Sequence, residues 1–204
     1  MQFVNTPFWL RFIFPKIIWS MPSNKKKIYL TFDDGPHPEA TNTVLDELKK
    51  YKAKATFFCV GKNIELYPII FERIISEGHI IGNHTYTHIN GYKTKSGNYF
   101  EEINRCRSLT KSNLFRPPYG KLTFTQYRYL KNKYKIVLWS ILSYDFDKNT
   151  TLEKCLNNVM NNVKNGSIIV FHDSEKAKNN LLSTLPRVLD YYSKQGYLFE
   201  AITL

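Results

Sequence analysis

Residues 27–36 read KIYLTFDDGP, a β-type run that ends in two adjacent acids and a Gly-Pro pair. The apolar and β-branched residues before Asp33 predict a buried strand. Downstream of it, strand-like runs alternate with helical patterns to the end of the chain. Such alternation is typical of a parallel sheet with helical crossovers, either wrapped into a barrel or left open. We therefore expect function at the C-terminal ends of the strands.

The other elements follow from hydrophobic periodicity and from the placement of proline and glycine. Pro68, for example, predicts the start of a helix that Gly78 ends. Strands are predicted at 27–32, 56–60, 79–82, 114–116, 135–140, 167–171 and 197–202. Further helices are predicted at 41–51, 98–112, 123–131, 152–163 and 181–194. This strand count and a length of 204 residues fall short of a full eight-stranded barrel of about 250 residues.

Composition excludes several classes of protein. The chain is 43% hydrophobic and 15% aromatic, which allows a substantial core and excludes disorder for the bulk of the chain. Nine glycines and nine prolines are near average usage, so a collagen-like or low-complexity chain is excluded. The three cysteines form neither a disulfide framework nor a CxxC zinc pattern. Any metal must therefore be held by histidines and carboxylates.

The charge balance is strongly basic, with 29 Lys and Arg against 17 Asp and Glu, a net charge of +12. Such a surface attracts nucleic acid, anionic membranes or acidic polymers. However, the lysines are scattered, and the one tight run, at 25–27, shows no arginine–aromatic alternation. We therefore expect a solvated lysine-rich surface and no nucleic-acid partner. A steep salt dependence of polynucleotide binding would indicate the alternative.

The most apolar segment is 8–21, FWLRFIFPKIIWSM. Arg11, Pro15 and Lys16 interrupt it, so no run reaches the ~18 apolar residues of a spanning helix. It also lacks the basic start and small-residue cleavage site of a signal peptide. We expect an N-terminal extension, 1–26, docked on a domain formed by 27–204, in a monomer. Peripheral membrane contact through 8–21 is the alternative, so the expected location is cytoplasmic or membrane-peripheral.

Two motifs at strand ends have the residue types of a metal site. Asp33 and Asp34 are adjacent carboxylates whose ionisation is coupled unless a cation lies beside them; a solvated Asp-Gly turn is the alternative. His84 and His88 share one face if residues 84–88 are helical, and imidazole is a common zinc ligand. Two histidines with one carboxylate would leave positions open for water, as in catalytic metal sites.

Three further strand ends carry single polar residues. Arg116 precedes a Pro-Pro-Tyr-Gly turn and could pair with a carboxylate, Asp145 lies in the run SYDFD, and His172 directly follows the apolar run SIIVF. Each alone is weak evidence; a histidine in such a position often only satisfies a loop carbonyl.

Taken together, TFDDGP, HTxxH, RxPYG, a strand-end acid and a strand-end histidine, in this order, resemble the five signature motifs of the polysaccharide deacetylases. This is carbohydrate esterase family four, with its nodulation-type homology domain, and the resemblance covers about residues 27–202. It implies an α/β fold, a distorted, incomplete (β/α) barrel of about seven strands, with 27–204 as the catalytic domain. It also implies a metal-dependent hydrolase that removes acetyl groups from N-acetylated sugars of a peptidoglycan- or chitin-like glycan and releases acetate.

The resemblance implies site roles position by position. The expected cofactor is a divalent metal, usually Zn²⁺, with Co²⁺, Ni²⁺ or Mn²⁺ as alternatives. Its ligands would be Asp34, His84 and His88. Asp33 would be the general base, with Arg116 as its ion-pair partner. His172 would be the general acid, with its orientation and pKa set by Asp145. The backbone N–H of Tyr119 would donate to the oxyanion. These roles agree with general chemistry, because a departing amine needs a proton and an attacking water must lose one.

Substrate contacts are expected from aromatic and loop residues near the strand ends: Pro118, Tyr119, Trp139, Phe146 and Val170. The chain also departs from the family pattern, with Leu142 where an extra Asp is common, Phe146 where Trp is common and Val170 where Leu is usual. Val170 is one methylene smaller than leucine and is expected to widen the acetyl pocket. Two alternatives stay open: a glycan-binding module with little or no catalysis, and a metal amidohydrolase acting on a small non-sugar amide.

Overall fold

The computed structural model describes residues 4–204, and its largest feature is a nine-stranded sheet. The strands are β1 Ile17–Ile18, β2 Lys27–Asp33, β3 Thr56–Cys59, β4 Ile80–Asn83, β5 Leu114–Phe115, β6 Lys135–Val137, β7 Ile141–Leu142, β8 Ser167–His172 and β9 Leu198–Phe199. Their order is β1-β6-β5-β4-β3-β2-β8-β7, with β9 beside β2, and all these pairings are parallel. The sheet curls into an incomplete (β/α) barrel, so the predicted fold class is confirmed.

In the described part of the chain, eight α-helices connect the strands or flank them: α1 Trp9–Ile13, α2 Ala40–Lys50, α3 Gly61–Leu66, α4 Pro68–Ser76, α5 Ser96–Thr110, α6 Phe124–Leu130, α7 Leu152–Met160 and α8 Lys178–Lys194. Short 3₁₀ turns lie at Gly91–Lys93 and Pro118–Gly120. No helix within residues 4–204 combines the length and apolarity needed to cross a bilayer.

The central strand β2 explains how the sequence pattern positions the site. Side chains alternate between the two faces of a strand. Leu30 and Phe32 pack in the core that contains the apolar faces of α2 and α8, whereas Tyr29 packs in the separate cluster inside the barrel. By the same alternation, Thr31 and Asp33 face the interior. The carboxylate of Asp33 is therefore fixed at the inner, C-terminal end of β2.

The structure differs from the prediction where elements are too short to give a periodic pattern. The predicted strand 135–140 ends at Val137, and β7 follows as a separate two-residue strand. The helix α3 was not predicted, because its six residues span less than two turns and Pro68 begins the next helix. The predicted strand 197–202 is reduced to β9.

The N-terminal segment pairs with strands near both edges of the curled sheet. Strand β1 pairs in parallel with β6, and Asn5 forms an antiparallel bridge with Ile141 of β7. Further on, Met21 donates a backbone hydrogen bond to the carbonyl of Gly166 at 2.9 Å. The described part of the segment, from residue 4 onward, is thus hydrogen-bonded across the gap that the curled sheet leaves.

Candidate active site

A cleft of about 320 Å³ opens at the C-terminal ends of the strands, where parallel α/β sheets place their ligand sites. Its volume is at the lower end of the range for small-molecule ligands. It is lined by Asp33, Asp34, His84, His88, Pro117, Tyr119, Gly120, Trp139, Leu142, Phe146, His172 and Lys176. The strand-end motifs at 33–34, 84–88, 119 and 172 therefore meet in one place.

Asp34, His84 and His88 form a compact cluster in this cleft, and one potential ligand atom from each lies within 4.8 Å of the others. The Nε2 atoms of His88 and His84 lie 3.1 Å and 3.8 Å from Asp34 Oδ1. Among the described residues, this is the one group of three or more His, Cys, Asp or Glu side chains with such spacing.

The two histidines meet through a loop, so the condition that 84–88 be helical is not fulfilled. Thr85 and His88 have φ values of 64° and 57°, in the left-handed region that breaks a helix. Asn83 holds the loop, because its Oδ1 accepts from the Thr85 N–H at 2.9 Å and its Nδ2 donates to the Ile103 carbonyl at 2.8 Å. The His84 and His88 rings still come within 5.1 Å of each other.

The cluster fits a divalent metal by its hydrogen bonding. Asp34 Oδ1 is buried and accepts no hydrogen bond of acceptable geometry. The Nδ1 atom of His84 lies 2.7 Å from the Arg116 carbonyl, so Nδ1 carries the proton and the Nε2 lone pair faces Asp34. Burial lowers the pKa of His84 to about 4, which keeps that ring neutral at neutral pH. A buried carboxylate oxygen beside two imidazole Nε2 atoms is a donor set that Zn²⁺ prefers.

Asp34 remains ionised despite its environment. Burial alone would raise the pKa of Asp34, but the surrounding imidazoles, His88 foremost, outweigh burial and hold that pKa below its usual value. The carboxylate is therefore available as an anionic ligand.

Asp33 is fixed by a buried arginine. Arg116 is fully buried, and its Nη1 donates to Asp33 Oδ1 at 2.6 Å and to Thr31 Oγ1 at 2.7 Å. Its other guanidinium N–H groups donate to the carbonyls of Val137 and Leu138, at 3.2 and 3.0 Å. These bonds orient the carboxylate so that its Oδ2 atom lies 4.0 Å from His84 Nε2, on the side of the cluster formed by Asp34, His84 and His88.

His172 forms a second charged pair on the neighbouring strand. Its Nδ1 lies 2.8 Å from Asp145 Oδ1, and its backbone N–H donates to Asp145 Oδ2 at 2.7 Å. Burial alone would lower the pKa of His172, but the charge and hydrogen bond of Asp145 outweigh it and raise that pKa to about 9. The imidazole is therefore protonated at neutral pH, with Asp145 fixing its orientation.

The expected substrate-binding residues divide into two groups. Tyr119, Trp139 and Phe146 line the cleft, and the exposed Tyr119 ring packs 4.8 Å from the His88 ring. Pro118 and Val170 are buried, and neither lines the cleft in this structure. Pro117 lines the cleft in place of Pro118.

The position of Val170 has a simple physical reason. Val170 lies two residues before His172 on β8, on the same face but about 6.5 Å deeper in the barrel. It pairs in register with Thr31 and Leu142, and the Leu142 side chain lies in the lining of the cleft. A change at Leu142, rather than at Val170, therefore alters the wall that a substrate meets.

Sequence reasoning missed Lys176 and Asp173. The Lys176 ammonium lies 5.2 Å from the centre of the Phe146 ring, at the wall of the cleft, and nothing in its loop pattern indicates this. Asp173 is buried, accepts from the Gly35 N–H at 3.1 Å and from the Thr41 hydroxyl at 2.5 Å, and donates its own N–H to the Asp33 carbonyl at 3.0 Å. Asp173 thus holds the turn that presents both N-terminal acids.

Gly35 has no space for a side chain, which gives a first prediction. A Cβ at Gly35 would lie 2.1 Å from Asp173 Oδ2, so Gly35→Ala must displace the carboxylate that holds this turn. We expect Gly35→Ala to lower the free energy of unfolding by about 1–3 kcal/mol, as overpacking does. The matched control is Gly97→Ala in α5, where a Cβ would meet nothing within 4 Å and helix propensity favours alanine. Equal urea midpoints for the two variants would contradict this account of the turn.

Comparison with known proteins agrees with these observations. Residues 20–137 match the family model described as polysaccharide deacetylase. A peptidoglycan-N-acetylglucosamine deacetylase of Bacillus cereus is 34% identical over 194 residues, which are 92% of this chain and 91% of that protein. A chitooligosaccharide deacetylase of Azorhizobium caulinodans is 36% identical over 163 residues, 74% of this chain and 75% of that protein.

Solved structures are similar as well. The crystal structure of a peptidoglycan N-acetylglucosamine deacetylase in complex with 4-naphthalen-1-yl-N-oxidanyl-benzamide superposes with a TM-score of 0.88 at 33% identity, over 97% of this chain and 95% of that one. A pseudoenzyme from Bacillus anthracis has the same fold, with a TM-score of 0.79 at 23% identity, over 91% of this chain and 67% of that one. The matched family model and these relatives show that the chain belongs to the polysaccharide deacetylase family.

Proposed function

We propose that the protein is a metal-dependent N-deacetylase that hydrolyses the acetamide group of N-acetylated sugars in a glycan and releases acetate. One observation carries the proposal: Asp33 and His172 are register partners on the neighbouring strands β2 and β8, and both border the cluster of Asp34, His84 and His88. The site therefore offers a carboxylate and a protonated imidazole beside one metal-binding cluster, which is the set of groups that amide hydrolysis needs.

The cofactor we propose is a divalent cation, Zn²⁺ by its ligand set, held by Asp34 Oδ1 and the Nε2 atoms of His84 and His88. When bound, such an ion supplies Lewis-acid polarisation of the acetyl carbonyl and a lowered pKa for water. The hydrogen bond between His84 Nδ1 and the Arg116 carbonyl keeps the correct ring nitrogen available.

Asp33 is the proposed general base. Its Oδ1 is occupied by Arg116, so Oδ2 is the atom that can take the proton of the attacking water. The backbone N–H of Tyr119, in the cleft-lining turn 117–120, is the proposed donor to the oxyanion of the tetrahedral intermediate. The φ of 61° at Tyr119 gives this turn a backbone conformation that few residues adopt.

His172 is the proposed general acid. The leaving amine of an N-acetyl sugar is too basic to depart without a proton, and His172 is protonated at neutral pH because of Asp145. Transfer of that proton to nitrogen, while the carbon–nitrogen bond breaks, gives acetate and a free amino sugar. Asp33 then releases to solvent the proton that it took from water, and His172 takes up a proton from solvent, so both groups return to their starting protonation states.

The aromatic wall supports a sugar as the substrate. Trp139 and Phe146 line the cleft with apolar rings on which a pyranose can stack, and Leu142 adds an apolar surface for the acetyl methyl group. The matched relatives named for peptidoglycan and for chitooligosaccharide act on glycans that contain N-acetylglucosamine, which supports the same sugar here.

Glycan binding without catalysis is the second candidate, because a pseudoenzyme has the same fold. The complete pairs Arg116–Asp33 and His172–Asp145 favour catalysis over this alternative.

The test is acetate release from three substrates: N-acetylglucosamine oligomers, intact peptidoglycan and N-acetylglycine as a small non-sugar amide. We expect release from one or both glycan substrates and none from N-acetylglycine. Release from N-acetylglycine at a comparable rate would indicate the small-amide hydrolase. Saturable glycan binding without any release in zinc-supplemented buffer would indicate the binding module.

A further inference from the structure

The helix α1 and the residue before it expose large apolar side chains as a group. Phe8, Trp9, Phe12 and Ile13 are 74%, 50%, 79% and 56% exposed, and none of the residues of α1 is buried. Single exposed apolar residues are normal on protein surfaces, whereas a contiguous group of this kind indicates an interaction site. We call these four residues the aromatic face.

The aromatic face lies on one side of the helix. At about 100° per residue, Phe8, Phe12, Trp9 and Ile13 fall within an arc of roughly 140°. The rings of Phe8 and Phe12 contact edge to face, with centroids 6.4 Å apart. Arg11 projects outside this arc and reaches Ser20, to whose Oγ it donates at 3.2 Å. The segment is therefore amphipathic, with its apolar side directed to solvent.

Anchors on both sides of α1 hold this face in place. Before α1, the Thr6 N–H donates to the Ser140 carbonyl at 3.2 Å, and its hydroxyl donates to the Trp139 carbonyl at 2.5 Å. After α1, the Phe14 ring packs against Tyr127 with centroids 5.1 Å apart, and β1 pairs with β6. The exposed rings are thus presented by a segment that the barrel holds at both ends.

The surroundings of the aromatic face are basic. Arg11 and Lys16 lie within or just after this segment of the chain, and residues 4–22 contain no Asp or Glu. Lys164 joins Phe8 and Arg11 in the lining of a surface depression that has no acidic side chain. Apposing two copies of this chain through the face would bring like charges together, which disfavours self-association. Apolar rings that include a tryptophan, flanked by basic residues, instead match the boundary between anionic lipid headgroups and acyl chains.

The topology places this surface away from the active-site cleft. Strand β1 runs parallel to β6, and α1 precedes β1, so α1 lies at the N-terminal end of the strands. The cleft lies at their C-terminal ends. A protein resting on a bilayer through α1 would therefore direct its cleft away from the lipid.

We propose that the aromatic face and the basic residues around it form a docking surface for anionic phospholipid bilayers. Burial of the four side chains at the lipid interface supplies an apolar contribution, and Arg11, Lys16 and Lys164 supply an electrostatic contribution that weakens as salt is added. Neither contribution alone gives stable attachment, so binding requires both.

The experiment is co-sedimentation with vesicles of phosphatidylcholine and phosphatidylglycerol in a three-to-one ratio, beside vesicles of phosphatidylcholine alone. We expect binding to the mixed vesicles that weakens with added salt, and at least tenfold weaker binding of the double variant Phe8→Ser/Phe12→Ser. The matched control is Leu66→Ser/Ile69→Ser, which removes two exposed apolar side chains, 57% and 80% exposed, from α3 and α4 and should bind as the unaltered protein does.

Three outcomes would overturn the proposal: no preference for the mixed vesicles, equal binding of the aromatic-face variant, or a lipid-independent dimer that this variant abolishes. The last would identify a second copy of the chain as the occupant. Acetate release from soluble oligomers is expected to be the same in both variants as in the unaltered protein, which shows that the variants are folded. If the unaltered protein releases no acetate, the deacetylase proposal fails, whatever the vesicle experiment shows.

Discussion

Asp33→Asn is expected to lower kcat for acetate release by about 10²–10⁴-fold, the contribution that general acid–base catalysis makes. Asparagine retains the size of the side chain and can still accept from Arg116, but it cannot take a proton from water. The Asp33 carboxylate is nearly fully buried and faces the cluster of Asp34, His84 and His88 through its Oδ2 atom alone. Among the described carboxylates, Arg116 pairs with that of Asp33 only. Steady-state kinetics on N-acetylglucosamine oligomers measure the loss.

The control for this variant must separate chemistry from folding. Asp33→Asn leaves the fully buried Arg116 without its charged partner, which is costly in a protein interior. Thermal unfolding and zinc stoichiometry should therefore be measured on the same preparation, together with Asp33→Asn/Arg116→Met, which removes the unpaired charge. Full turnover by a folded, metal-loaded Asp33→Asn protein would remove Asp33 from the role of base.

His172→Gln is expected to lower kcat by a similar factor, with a loss that depends on the leaving group. The amine of an N-acetyl sugar needs a proton, and glutamine has none to give at this position. An activated ester such as p-nitrophenyl acetate has a leaving group that departs as an anion. Turnover of that ester should fall far less than turnover of the sugar amide, and equal losses on both substrates would contradict the role of general acid.

The pH profile gives a second readout for the same residue. In the proposed mechanism the protonated form of His172 is the active one, and Asp145 raises the pKa of His172 to about 9, so turnover should fall as the pH rises through about 9. In Asp145→Asn the carboxylate charge is lost while burial still lowers the pKa of His172. The alkaline limb of kcat should then move to lower pH. An unchanged limb in Asp145→Asn would mean that another group sets it.

The fold was predictable because its decisive elements have strong patterns. The run KIYLTF and the run SIIVF give long, buried strands, and these two pair with each other in the structure. Two-residue strands such as β7 carry no periodicity, and β1 arises from a segment whose partner, β6, is more than a hundred residues away. Only tertiary pairing defines such strands, so sequence reasoning could not place them.

The site was predictable where residue type determines chemistry. The strand-end carboxylates and imidazoles of the motifs line one cleft, and Arg116 contacts Asp33 beneath it, because parallel strands bring their C-terminal ends together. Proximity in the chain was a poorer guide: Pro118 and Val170 adjoin the motifs, but both are buried and do not line the cleft. The joining of His84 and His88 by a loop depends on Asn83, whose hydrogen bonds no spacing rule indicates.

The most direct test of the catalytic account is acetate release from N-acetylglucosamine oligomers by chelator-treated protein, titrated with Zn²⁺. The account predicts no release at the start, a rise that reaches its plateau at one equivalent of zinc, and no recovery in a folded His84→Ala variant. Full turnover by the chelated protein, or recovery in His84→Ala equal to that of the unaltered chain, would contradict it.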